Sequence, residues 1–126
     1  MTHDRMAEHT IHCGAIHWLH ADAPDGGIQA YAHPYVVVQD DVFNRSRIST
    51  VVVCALTTNL DRINEPGNVL LEQGEGGLPK RSVVVVSQIL SVEKSRLGER
   101  VGVLVPERVE QILEGLRFQQ RAFFGR

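Results

Sequence analysis

Cysteine, long apolar runs and an excess of either charge are all scarce in this chain of 126 residues, and each scarcity removes a class of protein. Cys13 and Cys54 are its two cysteines, each in an apolar, strand-like setting. That excludes the disulfide framework of small secreted domains and fits buried, reduced thiols in a cytoplasmic protein. No apolar run nears the roughly 18 to 20 residues that a membrane span requires. Met1–His12 mixes His3, Asp4, Arg5, Glu8 and His9 with no apolar segment, which reads as a flexible polar arm rather than a secretory signal. The net charge of −2 speaks against wholesale phosphate binding. Missing as well are a glycine-rich phosphate loop before a helix, a CxxC pair, HExxH and GxSxG.

What is present fits one domain, over residues 13–126, with a core of its own. Its basic side chains are uneven. Before Arg45 there is Arg5 alone, whereas Arg45, Arg47, Arg62, Lys80, Arg81, Lys94, Arg96 and Arg100 follow and outnumber the acids, so a local basic face is compatible with the net sign. Residues 13 to 19 alternate, with Gly14, Ile16 and Trp18 on one side and Cys13, Ala15, His17 and Leu19 on the other, which predicts a first strand. Ala21–Ala32 holds Pro24, Asp25, Gly26 and Gly27, a loop longer than a hairpin turn and of the kind that carries function. Pro34, which has no ladder donor, is expected to begin a second strand over Tyr35–Gln39. Asp40, Asp41, Asn44 and Ser46 can cap one helical turn around Val42 and Phe43.

Ile48–Leu56 is continuously apolar and β-branched, which places it centrally in a sheet. A shorter strand is expected at Asn68–Leu71 and further strands at Ser82–Leu90 and Val101–Val105, with a glycine-bearing turn, Glu72–Pro79, before Ser82. Pro106 suits a first helical position, and Val109, Ile112, Leu113 and Leu116 repeat at helical spacing, so an amphipathic helix closes the chain. Short strands followed by one helix imply a β-rich α+β fold with a curved sheet.

Few residues stand out as chemistry. His12, His17 and His20 are close in sequence, but on a strand His17 faces away from the other two, which are themselves about 27 Å apart at full extension. A shared metal is disfavoured, and the histidines are expected to be mostly exposed. His33 stands where the long loop meets a strand fixed by Pro34, a good place for a group that titrates near neutrality. Thr57 and Thr58 end the central run, where hydroxyls become available to a phosphate, and Asn59 starts a turn. Gln88, between Val86 and Ile89, either reads a base or joins a buried network.

Taken in order, five segments resemble the MazF/PemK toxin family, from about Gly14 to about Leu116. "GAIHW" from Gly14 resembles the family's opening strand, and "HPYVVVQDDVFNRS" from His33 its Arg-Pro-aliphatic strand and the acidic, asparagine-bearing turn that follows. "STVVVCALTTNL" from Ser49 matches the next strand. "GLPKRSVVVVSQILSVEKSRLG" from Gly77 matches the most recognisable stretch, with Gln88, Lys94 and Arg96 in place, and "VPERVEQILEGL" fits the closing helix.

The resemblance implies an SH3-like β-barrel of the CcdB/MazF type, a cytoplasmic homodimer, and a toxin that cleaves single-stranded RNA without metal or cofactor. The substrate's own 2′-hydroxyl would be the nucleophile, leaving a 2′,3′-cyclic phosphate and a 5′-hydroxyl. It also implies a cognate antitoxin whose disordered acidic segment folds over the groove. By position, His33 and Thr57 would be catalytic, and Gln29, Thr58, Asn59, Arg81 and Gln88 would contact RNA. The loops Ala21–Tyr31 and Gly74–Arg81 would set sequence preference. In the family pattern Glu-Gln-x-Gly-x-Arg-Pro, this chain has Ile28 for the acid and His33 for the arginine. Arginine grips phosphate bidentately, whereas histidine exchanges protons. One expectation is therefore a ribonuclease using His33 as acid or base, and the other a CcdB-like module that binds RNA or a protein without cutting.

Overall fold

In the computed structural model, residues 10–20 and 32–124 are described. The first nine residues of the expected arm and the loop 21–31, with Ile28 and Gln29, lie outside them. The strands are β1 (Ala15–His20), β2 (Ala32–Val37), β3 (Thr50–Thr57), β4 (Val69–Leu71), β5 (Ser82–Glu93) and β6 (Leu97–Val103). A single-turn helix, α1 (Asp41–Asn44), links β2 to β3, and α2 (Pro106–Phe124) follows β6. All pairs are antiparallel, in the order β4-β5-β3-β2-β1-β6.

The uniformly apolar run becomes β3, with β2 and β5 on either side. Val51, Val53, Cys54, Ala55 and Leu56 are all buried, so both faces of this strand are covered. Successive residues of β3 point to opposite faces. Cys54 and Leu56 enter one cluster with Ile16, Val36, Leu71, Val84, Val86 and Leu104, closed by Ile112 and Leu116 of α2. Val51 and Val53 enter a second with Ile11, Val37, Tyr35, Val92 and Leu97. The helical spacing read from Val109 to Leu116 thus marks the face of α2 that meets the first cluster.

The sheet cannot be flat. β5 and β6 have β3, β2 and β1 between them, four steps of about 4.8 Å, or roughly 19 Å if laid flat. The link between them is the three-residue 3-10 turn Lys94–Arg96, which rises about 2 Å per residue and cannot span that gap. The sheet must roll. The bend lies in β5: Ala55 faces Val85 but Cys54 faces Ile89, so Val86, Ser87 and Gln88 have no counterpart on β3. Such a bulge turns a strand, and burial changes there from Ser82–Val86 inside to Ser87–Ser91 exposed.

Among the described residues no ladder joins the edge strands β4 and β6. The 3-10 turn Glu75–Gly77 packs against β6 instead. The approach is so close that a Cβ on Gly102 would lie 2.3 Å from the Gly76 carbonyl oxygen, and one on Gly77, at φ +77°, would lie 2.4 Å from that of Val101.

Some boundaries differ from the sequence reading. β2 begins at Ala32, with Pro34 inside it and opposite Trp18. The ladder to β3 starts only at Tyr35, so the missing proline N–H interrupts none of its recorded pairs. β6 starts at Leu97 rather than Val101, because an edge strand exposed on one side needs no apolar alternation over Gly98, Glu99 and Arg100. α1 forms as expected, with the Asp40 carboxylate accepting from the Val42 N–H at 2.8 Å. Cys54 is buried as expected, but Cys13 is only half-buried.

Gly115 tests this packing. Alanine normally favours a helix interior by about 1 kcal/mol over glycine. Here the added Cβ would sit 2.2 Å from the Gly67 carbonyl oxygen. Gly115→Ala is therefore expected to lower the unfolding free energy by about 1–3 kcal/mol in urea titration.

Candidate functional site

The β2–β3 pairs Tyr35 with Ala55, Val36 with Cys54 and Val37 with Val53 fix the register. Continued two steps past these recorded pairs, still within β2 and β3, the register brings His33 opposite Thr57. Both belong to the face that carries Tyr35 and Val53, opposite the face covered by α2. Leu19 faces His33 from β1, Leu97 faces Leu19 from β6, and Val83 faces Thr57 from β5. One row thus crosses five strands: Leu97, Leu19, His33, Thr57, Val83. Opposed residues in such a row have Cβ atoms about 4.5–5.5 Å apart. His33 is exposed and Thr57 half-buried, while Leu19 and Val83 flank them as buried apolar walls.

Strand ends complete the site. Thr57 Oγ1 accepts from the Asn59 N–H at 3.1 Å, which leaves the hydroxyl hydrogen for a ligand. The Asn59 side chain accepts from the Asp61 N–H at 3.1 Å and so caps the 3-10 turn Leu60–Asn64, the turn expected to start at Asn59. Thr58 and Asn59 are exposed. Thr58 and Asn59 follow Thr57 directly, and Arg81 lies two residues before Val83, the partner of Thr57, so these residues belong to the same end of the sheet. Arg81 donates from Nε to Glu72 Oε1 at 3.1 Å, a pair about half exposed on both sides. Gln88 is not at that end. It lies in the β5 bulge and is exposed, so it joins no buried network; the strand expected to bury it has turned away from the core there.

The loop Gly74–Arg81, expected as a reader of RNA sequence, is anchored at its start. Arg108 of α2 grips Glu75 with two bonds of 2.8 Å, from Nε and Nη2, and Glu75 Oε2 also accepts the Glu72 N–H at 2.7 Å. Leu78 is buried, and Lys80 and Arg81 project beyond it.

The remaining reactive groups are quiet. Burial pushes the Cys54 thiol up to about 12, and its Sγ is 3.0 Å from the Val85 carbonyl oxygen, so it is no nucleophile at neutral pH. Among the described residues, no group of three or more His, Cys, Asp and Glu side chains is placed to hold a metal ion. His12 and His33 are exposed as expected of most histidines, whereas His17 is buried, at 7% exposure, with Nδ1 3.0 Å from the Gly98 carbonyl oxygen. The alternation that grouped it with Ala15 and Leu19 was the available signal, because both neighbours on that phase point inward.

Residues 12–119 match the family described as PemK-like, MazF-like toxin of type II toxin-antitoxin system. The chain belongs to this toxin family. It is 35% identical over 102 residues to the endoribonuclease MazF6 of Mycobacterium tuberculosis, covering 81% of this chain and 90% of the relative. With the endoribonuclease MazF of Staphylococcus saprophyticus the identity is 27% over 99 residues, covering 79% and 82%. Among solved folds, MazF of Deinococcus radiodurans superposes with a TM-score of 0.67 at 19% identity, covering 93% of this chain and 98% of that one. A mycobacterial endoribonuclease in complex with its cognate antitoxin gives 0.64 at 20%, covering 86% and 91%. These likenesses carry the six-stranded antiparallel sheet and terminal helix as the fold of this family member.

The Arg108 pair has a pH signature. Arg108 holds the Glu75 carboxyl below the ordinary value of 4.5, so its contribution is complete above about that pH and is lost as pH falls through the lower folded-state value. Glu75→Gln is expected to destabilise by of order 1 kcal/mol at pH 7. The difference from wild type should vanish in acid denaturant titrations.

Proposed function

We propose that this chain is the endoribonuclease toxin of a type II toxin-antitoxin pair and cuts single-stranded RNA through the substrate's own 2′-hydroxyl. The observation carrying this reading is the juxtaposition of His33 and Thr57 on one face of adjacent strand ends, with Arg81 at the same end. The endoribonuclease names of its relatives support it.

In the proposed step a base removes the 2′-hydroxyl proton, the oxygen attacks the adjacent phosphorus, and the 5′-oxygen departs with a proton from an acid. The products are a 2′,3′-cyclic phosphate and a 5′-hydroxyl, and no protein nucleophile, metal or cofactor takes part. His33 is the proton carrier. The Thr57 hydroxyl donates to a non-bridging oxygen, where charge builds in the phosphorane. Thr58, Asn59 and Arg81, with Gln29 and Gln88, form the wider RNA surface.

The rolled sheet, with the glycine turn filling the gap between β4 and β6, supports an SH3-like barrel formed by residues 13–126. Beyond Val84 the outer edge of β5 pairs with no strand among the described residues, and Ile89 and Leu90 are exposed there at 36% and 38%. That edge supports a homodimer, since an unpaired apolar strand is an adhesive surface. By the same family reading, a cognate antitoxin covers the RNA groove with an acidic disordered segment. Among the described residues no helix is long and apolar enough to cross a membrane, and a cytoplasmic site of action is part of the proposal.

The test is incubation of the purified protein with a long RNA in EDTA and mapping of the new 5′ ends, which should fall at one short motif. His33→Ala is expected to slow cleavage by roughly 10² to 10⁴ with the fold intact. The wild-type pH-rate profile should show a limb near neutrality. An unchanged rate in His33→Ala would remove this residue from the mechanism. Undiminished toxicity of a His33→Ala, Thr57→Ala double variant with intact RNA would assign the protein to the CcdB-like, non-cleaving class instead.

A further inference from the structure

Along the β1–β6 ladder Ile16 faces Gly102, His17 faces Arg100 and Leu19 faces Leu97. On each side of His17, β6 therefore carries one residue more than β1, and the regular bonding is broken twice within a few residues. The His17 side chain crosses the second break. A carbonyl oxygen can only accept, so the 3.0 Å contact with Gly98 fixes the proton on Nδ1 and leaves Nε2 as a bare lone pair. Nε2 is buried and, among the described residues, has no hydrogen-bond partner. Only the neutral ring suits this place. A second proton would put a donor where nothing accepts it and a charge beside the guanidinium facing it.

We propose that His17 is a pH-operated latch: its neutral ring fastens the start of β6 to β1 across the doubled bulge, and protonation releases that segment. The charged group facing the ring is a cation. From β6 the facing groups are the Arg100 cation and the Gly98 carbonyl, with Glu99 between them exposed, and from β2 it is Tyr35. Neither ladder places a carboxylate opposite His17. Burial holds the ring below its ordinary value of 6.5, and Arg100 pushes the same way against the Gly98 bond. The released state titrates near the ordinary value, so the latch is complete above about pH 6.5 and weakens as pH falls from there toward the lower folded-state value. Release would also unseat Leu97 from Leu19, which backs His33 in the neighbouring row. Acid would thereby loosen the site through its scaffold, separately from any titration of His33.

The experiment is native-state hydrogen exchange of the full chain at several pH values between 7.5 and 5.5, corrected for intrinsic exchange rates. Amides of residues 97–100 are expected to lose up to about tenfold protection per pH unit below about 6.5, while those of β3 hold. His17→Asn can still donate an amide hydrogen toward Gly98 but does not titrate, and it retains His33. Its β6 protection should be independent of pH over that range. Wild-type protection that does not change with pH, or the same pH dependence in His17→Asn, overturns the proposal. Should the variant fail to fold, ring nitrogen NMR of the wild type decides: an Nδ1–H tautomer titrating below 6.5 supports the latch, and an Nε2–H tautomer or a midpoint at or above 6.5 overturns it.

Discussion

The short passage from β5 to β6 governs this molecule. Three coiled residues, Lys94–Arg96, must join strands that the hydrogen-bond order places at a distance. The sheet meets that demand by rolling, and the unmatched Val86, Ser87 and Gln88 give β5 the bend that rolling needs. Once rolled, the faces stop being equivalent. One closes over Cys54, Leu56, Val84 and Val86 and is sealed by α2. The other keeps only a small cluster under the far half of β5, and toward the opposite strand ends it lies open at His33 and Thr57.

Polar chemistry is sorted by the same geometry. Glu75 is tied to Arg108, Glu65 to Arg62, and the Lys94 ammonium to the carbonyls of Phe43, Asn44 and Ser46 at the end of α1. These contacts hold turns and helix ends in place. The thiol best shielded from water, Cys54, is also the one burial renders least acidic. A reaction that draws its nucleophile from the substrate suits such a scaffold, because the protein then has only to orient a phosphate and move protons.

Much of the fold was legible because it is written in local pattern. The unbroken run to Leu56 announced a strand covered on both sides, and Pro106 with the spacing from Val109 to Leu116 announced the helix and its buried stripe. What escaped depends on contacts between distant segments. Nothing local to Leu97–Arg100 marks a strand, since its pairing with β1 and the His17 side chain impose one. The exposure of Gln88 follows from a bulge measured against β3, which a single strand's sequence does not encode. For the site, sequence position alone put His33 and Thr57 at strand junctions, but their sharing a face rests on the β2–β3 register.

That register bears on the exchange of arginine for histidine at position 33. A guanidinium there would grip the phosphate and leave proton transfer to another group, whereas an imidazole moves the proton and grips weakly. The grip must then come from elsewhere along the row. Thr57 offers one hydrogen bond, and Arg81, just before β5, is held by Glu72 through a pair too exposed to be strong. A phosphodiester entering beside Thr57 carries the same single charge as the Glu72 carboxylate, but its two non-bridging oxygens allow the bidentate contact that Glu72 does not make here. On the roles proposed for Arg81 and His33, the anchoring cation is a different residue from the proton carrier, so holding the substrate and reacting it become separable tasks.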